Sequence, residues 1–141
     1  MENNDQQRLQ ELMMAVRSYQ AALQDGSKKL NLIDRSLAEI NETIVAVEEL
    51  PKNEGGDALV PIGAGVFVKA NLKDVNKLIV SSGAGIHIEK TGMEAAAYLK
   101  RQVEKLEKNR TTLEAQVARM DGELSRANQE AEELYMKMQG K

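Results

Sequence analysis

Val60-Pro61-Ile62-Gly63-Ala64-Gly65-Val66-Phe67-Val68-Lys69 and Val80-Ser81-Ser82-Gly83-Ala84-Gly85-Ile86-His87-Ile88-Glu89 are two copies of one pattern, set 20 residues apart. Each copy has a β-branched entry, a Gly-Ala-Gly reversal and an alternating β-branched exit. A reversal this tight needs positive φ, which glycine supplies without steric cost. Each copy therefore predicts a β-hairpin, and Asn71 to Asn76 join the two. Period 2 puts Val66 and Val68 on one face of the first, and Ile86 and Ile88 on one face of the second. Two isolated hairpins with so few large side chains are not stable alone in water. They must pair with hairpins of other chains, so an obligate oligomer is expected. Its contacts would come from Val60, Ile62, Val66, Phe67, Val68, Leu78, Val80, Ile86 and Ile88.

Outward from this centre the periodicity changes from 2 to 3.5. Positions 9, 12, 16, 19, 23, 26, 30, 33, 37, 40, 44 and 47 are all apolar except Gly26. Positions 96, 99, 103, 106, 110, 113, 117, 120, 124, 127, 131, 134 and 138 are all apolar except Arg110. A repeat held this long keeps one narrow seam in register and specifies coiled coil. Pro51 stops the first helix near Leu50, and the polar, glycine-rich run Lys52 to Asp57 is turn-forming. Thr91 with Glu94 fits a capping box that starts the second helix. The predicted fold class is α+β: a long antiparallel two-helix coiled coil joined by two tandem β-hairpins. The expected organisation is a helix over 1–50, a double-hairpin oligomerisation region over 51–91 and a helix over 92–141.

Composition closes off several functions. Aromatic content is only 3% and there is no tryptophan, which suits a seam of Leu, Ile, Val, Met and Ala. No cysteine is present, so disulfides, thiolate metal sites and cysteine nucleophiles are out. The lack of a long apolar run or a basic-then-apolar leader reads as soluble, non-secreted and cytoplasmic, with no membrane partner. A net charge of −3 argues against nucleic acid as a partner, since phosphate binding needs a basic footprint. Lys100, Arg101, Lys105, Lys108 and Arg110 do gather, but Glu104 and Glu107 are interleaved with them, as on a solvated helix face.

The glycines do not make a phosphate loop. Neither Gly63-Ala64-Gly65 nor Gly83-Ala84-Gly85 is followed by a helix start or a Gly-Lys-Ser/Thr sequence. His87 is the only histidine and has no relay partner, so no metal, cofactor or catalytic set is expected. The chain does not read as an enzyme.

Leu59-Val60-Pro61-Ile62-Gly63-Ala64-Gly65-Val66-Phe67-Val68 and Val80-Ser81-Ser82-Gly83-Ala84-Gly85-Ile86-His87-Ile88-Glu89-Lys90-Thr91, set between two long coils, resemble a prefoldin subunit. Two hairpins rather than one mark the alpha class, and the length is similar to archaeal members. The resemblance covers essentially the whole chain, and its specific part is the central forty residues. It implies a heterohexamer of two alpha with four beta subunits, whose hairpins assemble into an intersubunit double β-barrel. It also implies an ATP-independent holdase that captures non-native polypeptides and delivers them to a group II chaperonin.

The free ends of the helices support that function separately. Leu9, Leu12, Leu134 and Met138 belong to the seam, but Met13, Met14, Tyr135 and Met136 fall off it. Met1 adds a fifth methionine near the same end if the helices fold back antiparallel. Methionine repacks against varied apolar surfaces, and helix ends fray, so these eight side chains from Leu9 to Met138 are candidate client contacts. The plainer account is that they thicken the seam, yet an exposed apolar cluster on a soluble rod usually has a partner. Two other functions stay open: a structural chain that polymerises alone through its hairpin edges into filaments, and a coiled-coil adaptor. One conditional expectation concerns the two seam breaks. If the register sets them side by side, the Arg110 stem fills the space at Gly26; otherwise Gly26 lets its helix bend.

Overall fold

The computed structural model of the protein describes residues 2–140. Helix α1 spans Glu2–Glu49 and gives way to a 3-10 turn, Leu50–Asn53, at Pro51. Strands β1 (Asp57–Gly63) and β2 (Val66–Asn71) form one antiparallel pair, and β3 (Leu78–Ser81) and β4 (His87–Lys90) form another. Helix α2 spans Gly92–Gln139. Its start carries one of the two bonds of the predicted capping box: the Glu94 N–H donates to Thr91 Oγ1 at 3.2 Å. The chain divides into two compact units, one of residues 36–106 and one combining the stretch up to Arg35 with that from Glu107 onward.

In the unit containing both helix ends, the helices run antiparallel. Lys137 pairs with Asp5 at 3.6 Å, Arg8 with Glu130 at 2.9 Å, and Arg110 with Asp34 at 2.6 Å. Partner numbers fall along α2 as they rise along α1, which sets the register. Every position of the two predicted seams is buried or half-buried in this unit, with Leu12, Gly26 and Ala127 buried. Most flanking positions are exposed, Ala15, Ala22 and Glu123 being half-buried, as expected when a 3.5-residue stripe faces a single partner helix.

This register separates Gly26 from Arg110 and overturns the idea that one fills the space left by the other. Gly26 faces α2 at Val117: a Cβ built on it would lie 2.7 Å from Val117 Cγ2. The glycine is therefore a point of close helix approach, and α1 continues through it. Arg110 instead reaches across the seam to Asp34 and along its own helix to Glu114. Its half-buried stem keeps the seam covered while the guanidinium stays at the edge.

In the other unit, the ends of α1 and α2 that adjoin the hairpins meet through Glu48 and Lys100, 3.1 Å apart. Ile44, Ala95 and Ala96 are buried there, together with Val75 from the segment between the hairpins. That segment is tied at its start: the Gly55 N–H donates to Leu72 O at 2.7 Å, and the Leu72 N–H to Gly56 O at 2.9 Å. Lys90 Nζ stands 5.3 Å above the ring of Tyr98, a cation–π contact between β4 and α2. Among the described residues each sheet has two strands, so all four strands keep one unpaired edge.

Candidate binding surfaces

The first surface lies where the two helix termini meet. Met13, Met14, Tyr135 and Met136 are at least half exposed, with Met14 at 72% and Met136 at 66%. Leu9, Leu134 and Met138 are half-buried in the seam, and Leu12 is only 4% exposed. The eight predicted residues thus divide into four presented outward and four that become available only as the helices part. The ion pairs place Tyr135 and Met136 level with the start of α1, while Met13 and Met14 lie further along, level with Ala127 of α2. The two apolar pairs are separated by about two helical turns, or roughly 12 Å. Gln139 Nε2 donates to the Tyr135 hydroxyl at 2.7 Å and orients its ring. Met1 lies outside the described residues.

Charge pairing holds this end together without filling it. The Arg8 guanidinium donates two bonds to Glu130 Oε1, at 2.9 and 3.0 Å, and these raise its pKa above the ordinary arginine value. Further along, the hydrogen bond from Arg110 holds the Asp34 carboxyl below the usual aspartate range, against the opposing effect of desolvation. Both pairs are solvent-accessible, so their effect is to favour one register rather than to add much stability.

The second surface is the pair of hairpins. Their reversals use positive φ at Gly63, Ala64 and Gly65 in the first and at Gly83 and Gly85 in the second. Val60 sits opposite Val68, and Val80 opposite Ile88, so each hairpin carries a matched apolar pair on one face. Val60, Ile62, Val66, Phe67, Val68, Ile86 and Ile88 are exposed, whereas Leu78 and Val80 are half-covered within the chain. Phe67 pairs with Pro61 and so lies on the face opposite the valines.

Three exposed apolar side chains here were missed by the sequence reading: Leu59, Ile79 and Met93, the last 86% exposed. Strand alternation would have found the first two, since each precedes a residue already assigned to the opposite face. Met93 falls off the seam spacing of α2, the same signal that singled out Met13 and Met136. It lines a groove of about 630 Å³ with Val47, Pro51, Ala96 and Ala97, flanked by the Glu48–Lys100 pair.

Among the described residues, no cluster of His, Asp or Glu is placed to hold a metal ion, and no helix is long and apolar enough to cross a membrane. The arrangement offers apolar surface and open strand edges.

Comparison with known proteins agrees with this architecture. The family described as prefoldin subunit matches residues 19–137. Prefoldin subunit alpha of Methanococcoides burtonii is 32% identical over 130 residues, covering 92% of this chain and 89% of the relative. Prefoldin subunit alpha of Methanopyrus kandleri is 37% identical over 112 residues, covering 77% and 70%. Among solved structures, a chain of filamentous PFD from Methanocaldococcus jannaschii matches with a TM-score of 0.72 and 26% identity, covering 80% of this chain and 94% of that one.

Proposed function

Since this chain belongs to the prefoldin family, a family of non-enzymatic chaperones, we propose that it is the alpha-class component of an ATP-independent holdase that captures non-native polypeptides at its helix termini. The observation that carries this reading is the exposure of Met13, Met14, Tyr135 and Met136 outside an otherwise well-covered seam. Each such side chain, fully buried against a client, contributes roughly 1.5–3 kcal/mol before ordering costs. One terminus therefore binds weakly, and weak contacts release by exchange without a nucleotide step.

Assembly falls to the middle region, residues 51–91. Open strand edges and the Val60–Val68 and Val80–Ile88 pairs support an intersubunit β-barrel, in which strand edges pair and the apolar faces turn inward. In this reading two copies combine with four beta-class subunits in the cytoplasm, and the complex passes its clients to a group II chaperonin. The test is a variant carrying Met13→Ser, Met14→Ser, Tyr135→Ser and Met136→Ser. Its complex is expected to keep its native mass but to lose suppression of an aggregating client. Undiminished suppression sinks the proposal.

A second reading is favoured by the likeness to a filamentous PFD: the chain polymerises alone through the same strand edges. A mass ladder of this chain without a smaller partner is its signature. A single stoichiometric partner with no effect on aggregation would indicate an adaptor instead.

A further inference from the structure

Beside the exposed methionines, the first turns of α1 carry a dense run of primary amides. Asn3, Asn4, Gln6, Gln7 and Gln10 line one shallow groove of about 400 Å³, and all five are exposed. None of these side chains hydrogen-bonds to another protein group among the described residues. Asn3, Gln7, Gln10, Met14 and Arg17 follow one another at spacings of four, three, four and three, so they form a single outward stripe. Gln6 and Met13 border it.

The acids of this segment all lie elsewhere. Glu2 falls on the seam spacing, Asp5 pairs with Lys137, and Glu11 pairs with Arg8. A solvated helix face ordinarily carries charges that pair along the helix. The end of α2 at the same level is of that kind, with Glu130, Glu132, Glu133 and Lys137. From Asn3 to Met14 the α1 stripe is instead uncharged and rich in groups that both donate and accept, with Arg17 as its first charge.

We infer that this amide stripe binds the main chain of an extended polypeptide, beside the methionines that take its side chains. The inference rests on the client-capture reading above and deepens it. A primary amide offers two N–H donors and one carbonyl acceptor, the complement of an unpaired peptide group. Being neutral, it discriminates neither for nor against charged sequences. Unpaired peptide groups are what every non-native chain exposes and a folded one conceals. From Asn3 to Met14 the helix rises about 16 Å, the length of roughly five residues of extended chain.

The test uses the assembled complex and two fluorescent nine-residue peptides of one Leu/Val/Thr-rich sequence. One has an ordinary backbone; in the other, alternate N–H groups are replaced by ester oxygens, which removes donors but keeps shape and side chains. The ordinary peptide is expected to bind about fivefold to tenfold more tightly, the effect of one or two net hydrogen bonds. A Gln6→Ala, Gln7→Ala, Gln10→Ala variant should close that gap, while Met13→Ser with Met14→Ser weakens both peptides equally. Equal affinity of the two peptides for the unaltered complex, or a gap that survives the glutamine changes, overturns the inference but leaves client capture standing. Failure to bind either peptide, together with no suppression of aggregation, removes both. A change of native mass in the glutamine variant without any effect on peptides assigns the stripe to contact with a second copy, and overturns it as well.

Discussion

Two glycines in the same helical pair show how the partner atom decides the sign of a substitution. Glycine in a helix interior costs about 1 kcal/mol against alanine. At Gly122 nothing lies within 4 Å of an added Cβ, so Gly122→Ala should stabilise the assembled complex by about that amount. At Gly26 the added methyl meets Val117 at 2.7 Å, and a β-branched side chain cannot swing away. Overpacking of this kind costs roughly 1–3 kcal/mol, so Gly26→Ala should be neutral to destabilising despite its better propensity. Denaturant unfolding followed by helical circular dichroism checks both. In a double-mutant cycle, Val117→Ala should make Gly26→Ala more favourable by at least about 0.5 kcal/mol. Asp34 carries a second prediction at this scale. Its folded pKa is lowered, so the contribution of its pairing with Arg110 is complete above the ordinary aspartate value of about 3.9 and is lost as pH falls through the lowered one. The difference in unfolding midpoint between the unaltered complex and Asp34→Asn should shrink steadily below that point; a difference that grows with acid would contradict the assignment.

At the scale of elements, the proposed assembly would make folding and association one event at the hairpins. Val60 and Val68 face each other on a two-stranded sheet and are still 46% and 48% exposed, so burying what remains contributes roughly 1.5–3 kcal/mol to association. Val60→Ser with Val68→Ser should therefore break the complex into smaller species by native mass spectrometry, while the helical circular dichroism of α1 and α2 largely remains. Loss of helix in parallel would mean that the coiled coil depends on the assembled body. These elements were legible in the sequence because each announces its own period: Gly-Ala-Gly between alternating strands, and apolar seams at 3.5 residues. Pro51 and Thr91 marked the helix boundaries for equally local reasons. What pairs with what was not legible. The register between α1 and α2 depends on side chains far apart in the chain, such as Asp34 with Arg110, 76 positions apart, or Arg8 with Glu130, 122 apart. Without it, Gly26 and Arg110 could be set opposite one another, and the close approach at Val117 could not be seen. Val75 was hidden for a related reason: a lone valine between Asp74 and Asn76 reads as linker, and only the fold closes over it. At the helix termini, the off-seam methionines were visible from spacing alone, whereas the closure of Leu12 required the partner helix.

For the whole molecule, the weakness of each terminus is the point on which the proposed function turns. Four exposed apolar side chains per chain cannot hold a client firmly, because ordering the client offsets much of what their burial contributes. In the proposed complex, six termini on one body would change this by raising effective concentration: once one contact forms, the next is intramolecular. The consequence is a dependence on client length that a single strong pocket does not produce. Suppose the polar substitutions at Met13, Met14, Tyr135 and Met136 are made in this chain alone, with the beta-class partners unaltered. A short peptide, held by one terminus at a time, should then lose affinity only in proportion to the termini removed. A client long enough to span several termini should dissociate at least about tenfold faster, since each lost contact multiplies the rate of escape. Stopped-flow dissociation of a labelled nine-residue peptide and of a labelled unfolded protein separates the two. Equal acceleration for both would mean that capture occurs at one site on one chain, and that the reach of the two helices serves some purpose other than multivalent grip.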